Sequence, residues 1–543
     1  MGKRSFDFAA VSMEADSSSI KEGNVVETKS LESGETVDST DAQLLALGCK
    51  PELKRVHTFW TLMAYQTTIL CSWSCNIVLF DFIFTVGGVG SLVWGTLIVG
   101  IGQTLLMASL AEYCGIWPTA GGQCFYTQMV APPKMRRFLS FVVAWSILVG
   151  EVSTSSSCAL NSAQIVEALV LITHPEFDWK AWMTWLIYSG FLIAPTLSNL
   201  GPIFLKRLNI FGAFFNIGSF FVWAVVFLAL APKNSASFVF THFINTTGWK
   251  SDAWVFVLSM YAPIYGLYGT DGVMHLVEDM KDPARDAPRV MIWAMVWATM
   301  TAWLAAIVLG FTSGGWEHYL HNMQSYVNWF VGVTDSVYGG GIFCAIIMMG
   351  LNYLIITNMN AAGSRVVWAI AKDGGFPCSS YFAQLSPRFN VPVRASLAFI
   401  AMNLAIGLLV LGSDLAFWAI ISGGGVAFQV AYSVPIICVV CRGRNILPPR
   451  PYLNLGRWGF AINLAALAWV IVTLLFFTFP AYMPVVGHVE DMNWAAGLVG
   501  AVLIICALQW ILSSRKHYLK TSNTATDRSV TTPESTHASE KVP

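Results

Sequence analysis

The feature that most constrains this 543-residue chain is a recurrence of apolar runs, each near the ~20 residues that a helix needs to cross the hydrocarbon core of a bilayer. Twelve runs are delimited, at 59–86, 89–111, 138–170, 182–200, 208–231, 253–276, 290–312, 338–360, 393–412, 415–440, 459–481 and 494–514. Lipid offers no hydrogen bonds, so backbone within it must be helical or close into a barrel. Runs this continuous exclude barrel strands, which alternate apolar and polar residues. Only 11% of the residues are charged, against roughly 25% in soluble domains. The expected fold is therefore an all-α polytopic membrane protein with twelve transmembrane helices, its outer surface facing the lipid bilayer.

Basic residues set the expected orientation. With the N-terminus inside, sixteen Lys and Arg residues, from Lys134 to Arg457, fall in inner loops. Three, Lys180, Lys233 and Lys250, fall in outer loops. This is the positive-inside pattern, and it puts both termini in the cytosol. Residues 1–58 are polar and lack an apolar h-region, so they read as a cytosolic disordered tail rather than a signal peptide. Residues 59–440 hold spans 1–10, residues 441–514 hold spans 11 and 12, and 515–543 form a second cytosolic tail. For both tails, a regulatory role and an inert solvated one stay open. None of the eleven cysteines lies in an outer loop, so no exported disulfide framework is expected. The sequon Asn245-Thr246-Thr247 lies in the outer loop between spans 5 and 6 and makes Asn245 the glycosylation candidate.

Interruptions in the apolar runs carry the functional information. Span 6 reads SMYAPIYGLYGTDG, with Pro263, Gly266, Gly269 and Gly272 crowded together. Pro removes a helix donor and Gly tolerates unwound backbone. Transporters use such a break to present backbone groups to a substrate near the midplane. Tyr261, Tyr265 and Tyr268 flank the break and Asp271 closes it, so all four are candidate binding residues. Span 1 has no Pro or Gly between Phe59 and Val86; its polar interruption is Cys71-Ser72-Trp73-Ser74-Cys75-Asn76. Ser72, Trp73 and Ser74 are binding candidates there, Trp73 through stacking on a cation, against the alternative of a polar helix–helix seam. Glu151 lies within span 3, where an unpaired carboxylate is costly. It is a candidate proton carrier or amine counter-ion, with a structural pair as the alternative. Asp81 lies nearer the outer end of span 1, within reach of water.

Two amphipathic loops, one after span 2 on the inside and one after span 7 on the outside, occupy corresponding places in two inverted five-helix repeats. His318 and His321 in the outer loop lack a third ligand, and no metal site is expected.

Three segments resemble motifs of the amino acid–polyamine–organocation permeases: SLAEYCGIWPTAGGQCFY (109–126), YGTDGVMHLVEDMKDPARDAPRV (268–290), and SRVVWAIAKDGGFP (364–377) with NVPVRA (390–395). The Ser-Trp of span 1 and the polar tails resemble most the fungal branch that carries choline, γ-aminobutyrate and other amino acids. The resemblance implies a five-plus-five inverted repeat with broken spans 1 and 6, plus two extra helices. It also implies substrate held at both breaks, and proton-coupled symport. One departure is the absence of a glycine-rich break in span 1, which favours choline or an ω-amino acid over an ordinary α-amino acid pose.

The expected function is thus secondary active transport of a small amine or amino acid, with a coupling proton. A non-transporting nutrient sensor on the same fold is the alternative. No motif of an enzyme active site occurs, and neither a cofactor nor a nucleic acid is among the expected partners. The plasma membrane is the expected location and the vacuolar membrane the alternative.

Overall fold

The computed structural model describes residues 55–320, 324–411, 415–449, 452–485 and 492–519, and their regular structure is helical. Span 1 is three helices, α1 (Phe59–Leu70), α2 (Ser72–Val78) and α3 (Phe80–Thr85). They are followed by α4 (Gly88–Ile116), α5 (Gly122–Val130), α6 (Arg136–Thr173), α7 (Ala181–Ser198) and α8 (Pro202–Leu230). Span 6 is again fragmented, into α9 (Asp252–Ser259), α10 (Tyr261–Tyr265) and α11 (Gly272–His275). Then come α12 (Pro283–Thr312), α13 (Ser325–Thr334), α14 (Val337–Lys372), α15 (Val393–Gly407), α16 (Leu415–Arg442), α17 (Gly459–Thr478) and α18 (Ala495–Gln509).

Among the described residues, eight helices are long and apolar enough to cross a membrane. The remaining four expected spans are the two fragmented ones, α7 with Pro195 inside it, and the 15-residue α15. The distribution of side chains is that of a multi-pass integral membrane protein. Large apolar groups face outward, Phe214 being 74% and Leu512 77% exposed, whereas Glu112, Glu151, Asp271, Asn403 and Gln429 are fully buried. In water this arrangement would be inverted; in lipid, polar groups gain by facing one another.

The long α6 runs through the middle, packed along α16 and α14, while α4 pairs with α12 and α1 with α8. Small residues permit the close approaches: a Cβ added at Gly102 in α4 would lie 2.1 Å from the Trp469 ring of α17. Of the eight long apolar helices described, the one that begins with α18 is the least buried. Beyond it the chain folds back over the bundle. Tyr518 is buried, its hydroxyl donating to Ser140 Oγ at 3.1 Å and lying 3.4 Å from Cys124 Sγ. Arg137 Nε donates to the Tyr518 carbonyl at 3.0 Å, and Leu519 N to the Asp373 carbonyl at 2.8 Å. Residues 1–54 and 520–543, which hold most of the two expected tails, lie outside the described residues, as does His321.

Candidate functional site

Spans 1 and 6 break against each other. α1 stops at Leu70 because Cys71 takes left-handed backbone angles, φ 35° and ψ 40°. No glycine supplies that conformation; local side chains stabilise it instead. Ser74 Oγ donates to the Cys71 carbonyl at 2.8 Å and Cys71 Sγ to the Thr68 carbonyl at 3.2 Å, occupying groups that the break removes from the helix ladder. In span 6, residues 266–271 separate α10 from α11. A Cβ at Gly266 would lie 3.1 Å from the Ser72 carbonyl oxygen, so the two breaks touch backbone to backbone. Gly269 has φ 78°, and its carbonyl accepts from Gln66 Nε2 at 2.9 Å. Span 1 thereby holds the span 6 break open.

On the α6 side of the breaks lies a small void of about 10 Å³, lined by Ser153, Thr154, Ser157, Tyr265, Tyr268 and Gly425. The Tyr265 hydroxyl is 3.1 Å from Ser157 Oγ, and Tyr268 stacks on Phe428 at 5.8 Å. Tyr261 is not part of that wall; its hydroxyl is 3.0 Å from Ser422 Oγ and its ring 5.2 Å from both Phe82 and Phe477. The same tyrosine lines a larger cavity of about 260 Å³, with Asp81, Tyr482 and Trp494 among its walls. Tyr261 and Ser422 thus lie on the wall of this larger cavity, the vestibule, and not on the wall of the void. The serine run of α6 is divided between tasks: Ser155 donates to Asn360 at 3.1 Å and Ser156 to Asn403 at 2.9 Å, binding α6 to its neighbours.

Trp73 does not line the void. Its Nε1 donates to Asn216 Oδ1 at 2.7 Å, and its ring packs against Phe220 and Trp223 of α8. Ser72 contributes its backbone to the contact with Gly266, and Ser74 its hydroxyl to Cys71. Asn245 is engaged as well: Nδ2 donates to the Trp249 carbonyl at 2.9 Å and to Asp252 Oδ1 at 3.0 Å. A glycan on that nitrogen would displace at least one of these bonds.

Below the void, Glu151 and Asp271 meet a residue that the sequence did not single out, His275. One ligand atom from each lies within 4.8 Å of the other two, and the three side chains are 0–1% exposed. Asp271 Oδ1 accepts from the Tyr432 hydroxyl at 2.7 Å, and Oδ2 accepts from Gln123 Nε2 at 3.1 Å. His275 Nε2 is 3.4 Å from Asp271 Oδ2, while Nδ1 is 3.1 Å from the Ala120 carbonyl oxygen. Both Glu151 oxygens are buried with no hydrogen-bond partner among the described residues.

The end of the bundle that carries residues 55–58 is tied shut. Arg365 donates from Nη2 and Nε to Asp279 Oδ2, at 2.7 and 3.1 Å. Val56 N and His57 N both donate to the Asp279 carbonyl at 2.9 Å, and Lys281 N donates to the His57 carbonyl at 3.1 Å. Glu278 Oε1 accepts from Ala120 N at 2.9 Å, and Glu112 accepts both of its 2.8 Å bonds from Arg444 Nη2.

A family model described as amino acid permease matches residues 58–505. The chain belongs to that family. This permease is 26% identical to a choline transporter of Saccharomyces cerevisiae over 471 residues, which cover 86% of this chain and 83% of that protein. An amino-acid permease BAT1 homolog of Oryza sativa subsp. japonica is 28% identical over 508 residues, 90% of this chain and 96% of its own. Amino-acid permease BAT1 of Arabidopsis thaliana is 26% identical over 503 residues, 88% and 95% of the two chains. The three motif-like segments of the permease converge in space. Ala120 of the first bonds to Glu278 of the second, and Asp279 of the second to Arg365 of the third, at the closed end.

Proposed function

We propose that this protein is a secondary transporter that moves a small amine or amino acid by alternating access, driven by protons. The observation that carries this reading is the backbone contact between two broken spans, beside a void lined by tyrosine rings and serine hydroxyls. Unwound backbone is stable at such depth only where it is buried in protein or lines a cavity. The aromatic lining suits a cationic amine, since ring faces attract positive charge by ~0.5–2 kcal/mol. The family relation and the similarity to the Saccharomyces choline transporter support the same substrate class.

In this reading the vestibule faces outward and the end carrying residues 55–58 faces the cytosol, in keeping with the basic loops. Substrate enters past Asp81, separates Tyr261 from Ser422, and settles against Tyr265, Tyr268 and Ser157 as those rings move aside. Closure above it is followed by release of the Arg365–Asp279 and Glu278–Ala120 contacts below. Trp73 acts in this scheme by fixing span 1 to span 5.

The test is uptake of a radiolabelled panel, including choline, γ-aminobutyrate and α-amino acids, in cells lacking endogenous permeases. Saturable uptake of at least one compound is expected. Tyr268→Ala should raise its apparent KM about tenfold, equivalent to ~1.4 kcal/mol. Absence of uptake of every compound, with the protein verified at the surface, would sink the transport reading in favour of a sensor.

A further inference from the structure

The cluster of Glu151, Asp271 and His275 has a donor deficit that fixes what it must bind. The Ala120 carbonyl can only accept, so His275 Nδ1 carries the hydrogen that spans their 3.1 Å separation. In a neutral imidazole the other nitrogen, Nε2, is then a bare acceptor, and it faces Asp271 Oδ2 at 3.4 Å. Glu151 adds two further oxygens without partners. With both carboxylates ionised and the imidazole neutral, acceptors would face acceptors within 4.8 Å and two negative charges would be buried together. Buried charge of that kind is not tolerated without compensation.

Among the described residues, the surroundings supply hydrogen bonds but no uncommitted positive charge. Tyr432 of α16 and Gln123 of α5 each donate to Asp271. Tyr65 of α1 gives its hydrogen to the Asn358 carbonyl at 3.0 Å. Tyr268 belongs to the void above, and the guanidinium of Arg365 is engaged with Asp279. The missing counter-charge must therefore come from a cation that the cluster itself binds.

Resting on the transport reading above, we propose that Glu151, Asp271 and His275 form a proton-binding centre, loaded and unloaded in each transport cycle. A proton enters on a Glu151 oxygen and makes it a carboxylic acid. Transfer to His275 breaks that O–H bond and forms an Nε2–H bond. It leaves a Glu151 carboxylate and an imidazolium paired with Asp271; release of the Nε2 proton to water at the cytosolic end restores the starting state. The geometry also connects this centre to the closed end. The backbone of Ala120 is held on both sides of its Cα, the carbonyl by His275 and the N–H by Glu278. A ring drawn toward Asp271 by a charged hydrogen bond loosens its hold on Ala120, so proton occupancy acts on a contact that must break for inward release.

Two measurements test this on the purified full-length protein. Infrared difference spectroscopy between neutral and alkaline pH should show the loss of a carboxylic acid C=O band in the wild type and no such band in Glu151→Gln. This readout needs no substrate and stands even if the transport reading fails. In proteoliposomes, with choline and γ-aminobutyrate as probes, Glu151→Gln should lose gradient-driven accumulation by at least about tenfold more than it loses counterflow, within the usual range of coupling between sites. His275→Gln should show the same split. Absence of the band, or a band removed by sodium, calcium or zinc ions rather than by pH, overturns the proton assignment. Equal loss of accumulation and counterflow overturns it as well, and would make Glu151 an amine ligand. Failure of every probe in the wild type, with the band present, counts against the transport reading alone.

Discussion

The breaks in spans 1 and 6 reach the same outcome by opposite means. Span 6 is unwound by composition, with glycines where the chain has positive φ or meets another backbone. Span 1 is unwound by side chains: Cys71 adopts a left-handed conformation that carries a steric penalty, and the hydroxyl and thiol groups around it satisfy the freed carbonyls. The glycine break is thus intrinsic to its own sequence, whereas the serine break depends on local bonds and on the opposing span. A break of the first kind tolerates change in its neighbours better than change in itself, and a break of the second kind does the reverse.

The largest effect should come from Gly269→Val. Left-handed backbone costs a substituted residue ~1–2 kcal/mol, and a Cβ there would lie 2.4 Å from Met359 Cε, adding roughly 1–3 kcal/mol of overpacking. Uptake should be abolished and the melting temperature of the detergent-purified protein lowered; unaltered uptake would refute the intrinsic character of this break.

The two spans are also joined below their breaks, where His57 pairs with Met280. Burial, opposed by the Asp279 charge, lowers the His57 pKa from 6.5 to about 4. Between those values a detached His57 binds a proton that the buried one does not. The contribution is therefore fully present above pH 6.5 and is lost as pH falls through about 4, a change on the order of 3 kcal/mol. Melting temperature should fall with acidification over that window, and the slope should flatten in His57→Gln.

Gln66→Leu should have a smaller effect. It removes the amide that donates to the Gly269 carbonyl, which keeps its 3.2 Å bond from Gly272 N, at about 0.5–1.5 kcal/mol. Since it sits on span 1 but destabilises span 6, it measures how far one break supports the other. Ser74→Ala should destabilise by about 1 kcal/mol through loss of one hydrogen bond. Cys71→Gly should have the smallest effect, within about 1 kcal/mol of wild type, because relief of the left-handed backbone offsets the lost thiol contact. If the glycine is strongly destabilising, thiol packing rather than backbone geometry fixes the break.

The apolar runs were legible in the sequence because lipid imposes a length and a composition on every span. Span 6 was legible through its Pro and Gly residues, and Glu151 because a carboxylate inside an apolar run is rare. The exact stop at Cys71 was not, since nothing about that residue requires positive φ, although the serines that stabilise it stood in plain view. Trp73 read as a cation-stacking candidate because its partner Asn216 lies 143 residues away. His275 is not legible in the same way, because it falls within a motif-like segment and its surroundings are Glu151 and Ala120 from other parts of the chain. A histidine four residues after an intramembrane aspartate was the available signal.

The buried Tyr518 has a practical consequence for anyone engineering this protein. Its ring and carbonyl fill the space beside Cys124, Ser140 and Arg137, so α5 is propped from beneath by the last described turn of the chain. A deletion that removes Tyr518 takes away a wedge rather than a dangling end, and a reporter fused directly after Leu519 begins life pressed against the bundle. Fusions should therefore keep Tyr518 and Leu519 and add a flexible spacer after them, so that a loss of activity in a shortened protein is not mistaken for the loss of a recruited partner.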